Sequence, residues 1–330
     1  MEAMQAQTID VVKRMKEITL VMQTPDNILE QQGICWTSFR NQDHAESIDN
    51  ANDLDSIGGL VPLLNYLRNT HANIRAKAAE IVGVIVQNNP KSQQLVMDAN
   101  GMEPLLSNFV SDPDVDKLFF SQICISQRPG DPLFLTDVTV RTKSLGALYC
   151  LIWHNKPAIA AFRLANGYAA LKDALSSESV RFQRKALNLI HYLIQENPSD
   201  CNVVTKLGFP RIMTHLVSSE DSEVREGALR GLYELAKDKT VNSDNSTHED
   251  DEKLKQALEE RINDISMMSS EDLAAVRDER QLVDSLWAAH YNEPSPLRAK
   301  GLVVLPGVDV NEPPPDVASK VFHSPLRGST

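Results

Sequence analysis

The sequence predicts an all-α fold built as a right-handed superhelical solenoid, and two independent repeat markers carry that prediction. The first is a long amphipathic helix, VRFQRKALNLIHYLIQENP at 180–198. There Phe182, Ala186, Leu187, Ile190, Leu193 and Ile194 recur at helical spacing and Asn197-Pro198 ends the run. The chain writes this helix three more times, at 73–90, 138–157 and 223–238. Ile74, Val140, Phe182 and Val224 share one register position; Ala78, Ser144, Ala186 and Ala228 share a small-residue position; Val82, Leu148, Ile190 and Leu232 share a core position. The second marker is a glycine upstream of each copy, opening a shorter apolar helix: Gly59, Gly101, Gly167 and Gly208. The helices step by 66, 42 and 42 residues and the glycines by 42, 66 and 41. A purely helical repeat of roughly 40–47 residues is the armadillo/HEAT signature.

Taken in order, residues 1–23 read as an amphipathic helix with Ile9, Val12, Ile18 and Val21 on its apolar side. It begins abruptly, without a capping residue, which predicts a segment missing before it. Residues 33–44, GICWTSFRNQDH, fit neither neighbour, so 1–44 reads as a truncated and altered helical cap. Four repeats follow over 45–238, at about 45–90, 91–157, 158–198 and 199–238, each a short helix, a Gly turn, a middle helix and a long third helix. The glycines supply a left-handed or close-packed turn. The second repeat is too long by 23 residues at 115–137, a stretch of β-branched and aromatic residues with Pro129-Gly130 and Pro132 and no helical period. Loop closure costs only about 0.6 kcal/mol per doubling of length, so the fold tolerates such an insert. Residues 239–252 read as an acidic linker and 253–291 as C-terminal helices, with Ser270 as an N-cap. From Asn292 the chain is Pro-rich and reads as an extended or disordered tail.

Composition excludes more than it assigns. A net charge of −12 disfavours a general nucleic-acid-binding role. No apolar run is long enough to span a membrane, and the four cysteines lack metal-ligand spacing and read as reduced thiols. No Gly-rich phosphate loop or HExxH motif occurs, so neither cofactor, metal nor catalytic residue is predicted. The His residues are scattered, with His154 and His191 placed on third helices, and RDERQ at 277–281 reads as a solvated, ion-paired helix face.

Helical triplet repeats line a concave surface with their third helices. In the shared register the outward positions include Lys77, Glu80, Lys143, Lys185, Asn188, Tyr192, Gly227, Arg230 and Glu234, with Trp153 and Lys237 at the helix ends. Lys77, Lys143 and Lys185 occupy one equivalent position and form a short positive ladder on an acidic protein. Eight of these residues are the predicted partner-binding face: Lys77, Glu80, Lys143, Lys185, Asn188, Tyr192, Arg230 and Glu234.

Several blocks carry a family resemblance: VVKRMKEITLVMQTP, ESIDNANDLDSIGGLVPLL, HANIRAKAAEIVGVIVQNNPKSQ, LANGYAAL, VRFQRKALNLIHYLIQENPSD and ISMMSSEDL…VRDERQLVDSLW. They resemble the armadillo-type nucleotide-exchange factors of the 70-kDa heat-shock chaperone, in the cytosolic Hsp-binding-protein class and most closely its plant members. The resemblance implies a non-enzymatic co-chaperone, monomeric, cytosolic with the nucleus allowed, using neither nucleic acid nor membrane. Its concave face would embrace one lobe of the chaperone's nucleotide-binding domain and promote ADP release. The sequence departs from the family at its start, at 34–44 and at 115–137, where codon-level reading favours a mis-joined exon and a retained intron. The alternative is a generic armadillo adaptor. Transport-signal receptors of that kind repeat Trp and Asn at the concave positions held here by Glu80/Val84, Gly146/Cys150, Asn188/Tyr192 and Arg230/Glu234.

Overall fold

In the computed structural model the described residues are Leu20 and residues 48–110, 132–237 and 248–303, and every regular element among them is a helix. The predicted N-terminal helix apart from Leu20, the 33–44 departure and residues 115–131 of the insert lie outside them. The chain divides into two compact units, up to Leu171 and from Lys172 onward.

The first unit contains α1 (Ile48–Ser56), α2 (Leu60–Tyr66), α3 (Ala72–Val86), α4 (Pro90–Asp98), α5 (Met102–Val110), α6 (Pro132–Ile152), α7 (Lys156–Leu164) and the first part of α8 (Gly167–Leu175). Its most extensive packing joins the long helices α3 and α6. They close tightly because Gly83 faces Ala147: a Cβ on Gly83 would stand 3.4 Å from the Ala147 backbone. Ala79, Val82, Leu145 and Leu148 are fully buried there. Phe109 and Phe162, both fully buried, stack with ring centroids 6.4 Å apart.

The second unit contains α9 (Val180–Glu196), α10 (Asp200–Lys206), α11 (Phe209–Leu216), α12 (Ser222–Lys237), α13 (His248–Met267), α14 (Ser270–Ala275), α15 (Arg277–Tyr291) and α16 (Pro296–Ala299). Helix α12 packs on α9, α11 and α15, and α13 on α11 and α15. The shared register is visible as burial: Val140, Phe182 and Val224 are at most 1% exposed, while Ser144, Ala186 and Ala228 are fully buried.

A third repeated device is made of hydrogen bonds. At one equivalent register position, near the start of three third helices and midway along α6, a long side chain reaches back to carbonyls that end the preceding segment. Arg75 Nη1 donates to the oxygens of Asn69 (2.9 Å) and Thr70 (3.0 Å), and Arg141 Nε to that of Phe109 (3.1 Å). Gln183 Nε2 donates to Leu175 (3.2 Å) and Ser177 (2.7 Å), and Arg225 Nη1 to Ser219 (2.9 Å) and Glu220 (2.8 Å). Each satisfies carbonyls at or just past the end of a helix, where the regular intrahelical donors run out.

Several boundaries differ from the sequence reading. The left-handed residues at the junctions are Gly58 (φ 75°), Asn100 (56°), Asn166 (55°) and Gly208 (82°). They are spaced 42, 66 and 42 residues apart, so the repeat is carried by the residue before the predicted glycine at three of four junctions. Asn tolerates that conformation better than other residues with a side chain, which is why both types occur. Helix α6 begins at Pro132, inside the predicted insert; proline suits a first helical position because its missing N–H would have no partner there. Helix α13 begins at His248, inside the predicted acidic linker. Glu249, Asp250 and Asp251 in its first turn favour a helix N-terminus, and Leu254, Leu258, Ile262 and Ile265 bury one face.

The cap of α14 is Ser269 rather than Ser270: its hydroxyl accepts from the Asp272 amide. The tail predicted from Asn292 is packed as far as Leu302, since Leu297 and Leu302 are 0% and 4% exposed. Arg298 and Ser295 both bond Asp284, and Arg280 Nη1 donates to the Leu302 carbonyl at 2.6 Å. RDERQ is solvated only in part: Arg277, Asp278 and Gln281 are exposed. Glu279 is fully buried and Arg280 is 3% exposed, because Glu279 is gripped by Arg225 from α12 and Arg261 from α13.

Candidate partner-binding faces

In the first unit α3 and α6 bring three predicted residues together. The Glu80 carboxylate accepts from Lys77 Nζ at 3.1 Å and from Lys143 Nζ on the facing helix. All three are half-buried. Burial alone would raise the Glu80 pKa, but hydrogen bonds and charge from the two lysines hold it below the ordinary value. The first two lysines of the predicted three-lysine ladder therefore form a cluster with a carboxylate at its centre, and its net charge is one positive rather than two.

Aromatic side chains cluster where α6 ends: Tyr149 lies in its last turn and Trp153 is the first residue beyond it. Tyr149 and Trp153 lie one turn apart with ring centroids at 5.5 Å, and Trp153 meets His154 edge-on at 5.0 Å. Tyr149 and Trp153 are half-buried and His154 is exposed. His154 stands in the turn after α6 with φ 55°, not on the third helix as predicted, because a left-handed residue is needed there to end the helix. Asn155 then caps α7, its side chain accepting from the Ala158 amide.

In the second unit α9 and α12 carry Lys185, Asn188, Arg230 and Glu234. Asn188 is exposed and the other three are half-buried. Glu234 pairs with Lys237 at 3.0 Å, and the Lys237 ammonium lies 4.3 Å from the centre of the Tyr233 ring. His191 on α9 is coupled to this group. Burial lowers its pKa first, the positive charges of Arg230 and Lys237 add to the effect, and Glu234 opposes it. Its Nδ1 is buried without a hydrogen-bond partner among the described residues. At the other end of the two helices Arg184 forks onto Asp221, its Nε at 2.9 Å from Oδ1, and reaches Glu223 at 3.0 Å.

Two predicted outward positions are not outward. Tyr192 is 5% exposed, because the apolar face of α9 is broad: Leu189, Ile190, Leu193 and Ile194 are buried with it. Gly227 is buried against α9, where a Cβ would stand 3.0 Å from Leu187 Cδ1; the absent side chain lets α9 and α12 close. Sequence reasoning missed His191 and the rings Tyr149 and Tyr233. All three share one register position at 42-residue steps, a signal that was available.

A separate cleft of about 790 Å³ lies in the second unit between α11 and α13, with Lys206, Arg211, His215, Asp250, Lys253 and His290 among its walls. Its charges largely face each other: Arg211 forks onto Asp250 at 3.0 and 3.2 Å, and His290 lies 3.4 Å from Asp251. Among the described residues no cluster of His, Cys, Asp or Glu is arranged to hold a metal ion, and no helix is long and apolar enough to cross a membrane.

No family model matches the chain. It is 30% identical over 154 residues to the protein named Hsp70 nucleotide exchange factor FES1 of Mycosarcoma maydis, covering 47% of this chain and 33% of that protein. It is 25% identical over 197 residues to Hsp70-binding protein 1 of Homo sapiens, covering 59% and 48%. A further FES1, from Scheffersomyces stipitis, is 28% identical over 228 residues, 67% of this chain and 71% of that protein. The chain thus spans less than half the length of the first two relatives. Among solved structures it is similar to computationally designed armadillo repeat proteins for modular peptide recognition, with TM-score 0.57 and 16% identity over 83% of this chain and 99% of that one. A designed armadillo repeat protein, YIII(Dq)4CqI, gives 0.53 and 16% over 84% and 99%. The described residues have an all-α armadillo-repeat fold, and the chain is related by sequence to the proteins named Hsp70-binding protein 1 and Hsp70 nucleotide exchange factor FES1.

Proposed function

We propose that this chain is a co-chaperone that binds the nucleotide-binding domain of the 70-kDa heat-shock chaperone and promotes ADP release. The observation that carries the proposal is its sequence similarity to FES1 and Hsp70-binding protein 1, on an armadillo-repeat fold. Four repeats over 45–238 form the binding body in this reading. Their third-helix faces make the contact: Lys77, Glu80 and Lys143 in the first unit, and Lys185, Asn188, Arg230 and Glu234 in the second. Tyr192 drops out because it is buried.

The mechanism needs no catalytic group on this chain. It must bind the open arrangement of the chaperone's lobes better than the closed, ADP-bound one. Each tenfold loss of ADP affinity requires about 1.4 kcal/mol of that difference, and by reciprocity bound ADP weakens the complex by the same factor. The chain works as a monomer in the cytosol, without nucleic acid or membrane.

The test is release of a fluorescent ADP analogue from a cytosolic 70-kDa heat-shock chaperone. Faster release with this chain is expected. Unchanged release in the presence of well-folded protein would overturn the proposal and leave an armadillo adaptor.

A further inference from the structure

We infer that the cleft between α11 and α13 is a docking groove for an acidic amphipathic helix supplied by a partner protein. This second site does not depend on the proposed exchange function, and none of the residues proposed to meet the chaperone lines it. Its walls have the form of a helix receptor. On α13 the lining residues Asp250, Leu254, Ala257 and Glu260 recur every three or four positions, and on α11 Arg211 and His215 do the same. Residues so spaced share one side of a helix, so each helix turns a continuous side to the cleft. The side of α13 is about 15 Å long, nearly three helical turns at the usual rise per residue. A short helix laid between two such walls buries its apolar side against them.

The floor and the rim define the chemistry of the occupant. Leu207, Ile212 and Ala257 line the cleft and are only half-buried, so apolar surface there is open to a partner. The carboxylates of the rim are already engaged. Asp250 is forked by Arg211, Asp251 lies 3.4 Å from His290, and Glu260 accepts from Gln256 at 2.9 Å. Lys253 is likewise taken, by Glu249 at 2.6 Å. Lys172, at the start of the second unit, and Lys206, in the last turn of α10, line the same cleft and have no ion-pair partner among the described residues. The unfilled charge in the cleft is therefore positive, on a chain that carries −12. A carboxylate on the flank of the incoming helix complements it, and a lysine there would be repelled.

The experiment uses the full chain and a fluorescein-labelled peptide of about twelve residues, long enough for three helical turns. Its leucines repeat at helical spacing and its glutamates flank them on one side. One control peptide carries glutamine at every glutamate, and another carries serine at every leucine. Fluorescence anisotropy should show saturable binding of the acidic peptide, about tenfold tighter than that of the glutamine control, and no binding of the serine control. Lys172→Gln with Lys206→Gln should bring the acidic and glutamine peptides to equal affinity, while a circular dichroism melt shows the variant folded. Absence of saturable binding to wild type, equal affinity of the acidic and glutamine peptides, or an undiminished acidic preference in the folded double variant would each overturn the docking groove. None of these outcomes bears on ADP release, so the exchange function stands or falls separately.

Discussion

Glu279 shows how much a single residue can organise. Its carboxylate has no exposure to solvent and is held by two arginines, Arg225 Nε at 3.0 Å and Arg261 Nε at 2.5 Å, each with a second bond to the other oxygen. Burial would raise its pKa, but the arginine hydrogen bonds win and hold it below the ordinary value. A lowered carboxyl pKa contributes stability that is present above the unfolded value, near pH 4.3, and lost as pH falls through the folded one. Removing one partner of a buried pair is costly because the other charges stay buried. Glu279→Ala should therefore cost about 3–5 kcal/mol in urea unfolding at pH 7. A loss below about 1 kcal/mol would mean that the arginines are rescued by water.

His191 shifts in the same direction for a different reason, burial of the imidazole. Its folded pKa lies below the unfolded value near 6.5, so the unfolded chain takes up the proton more readily and stability falls as pH drops below that point. Melting temperatures of wild type and His191→Gln at pH 7.5 and 5.5 should show a smaller acid loss in the variant.

At the scale of the helix, the third helices are set by two devices of different visibility. Their apolar stripes, Val82, Leu148, Ile190 and Leu232, were legible because burial leaves a period in the sequence. The clamp at Arg75, Arg141, Gln183 and Arg225 was not, because its partners are backbone carbonyls, which leave no composition signal. The breadth of the buried face was also hidden: Tyr192 and Gly227 sit at its edge, and only the neighbouring helix decides on which side they fall. The start of α13 and the whole of α16 were hidden for another reason, since acidic and proline-rich residues serve equally as helix starts and as loops. Gly227 gives this scale its prediction. Gly227→Leu forces a side chain into the 3.0 Å gap at Leu187 and should destabilise by about 1–3 kcal/mol, read from the denaturation midpoint.

For the molecule as a whole, the repeat period was legible and the partner-facing charge pattern only in part. Lys77 and Lys143 were readable as a ladder, but Glu80, one turn along α3 from Lys77, neutralises half of it through a contact that depends on how α3 meets α6. In the second unit Lys185 and Arg230 remain the cationic members of the proposed face. Reversing both, Lys185→Glu with Arg230→Glu, should weaken binding of the chaperone's nucleotide-binding domain by at least about tenfold while far-ultraviolet circular dichroism stays unchanged. Undiminished binding by a folded double variant would move the interface elsewhere.

The latch on Asp284 and Arg280 has a practical corollary for anyone expressing the protein. A stop codon after Tyr291, where the last long helix ends, would delete Ser295, Arg298 and the Leu302 carbonyl together. Asp284 and Arg280 would then keep their places in α15 with those bonds gone and Leu297 and Leu302 no longer covering them, and the shortened chain would be prone to aggregate. A stop codon, affinity tag or protease site placed after residue 303, a dozen residues beyond the point at which the helical pattern in the sequence runs out, keeps every one of those bonds.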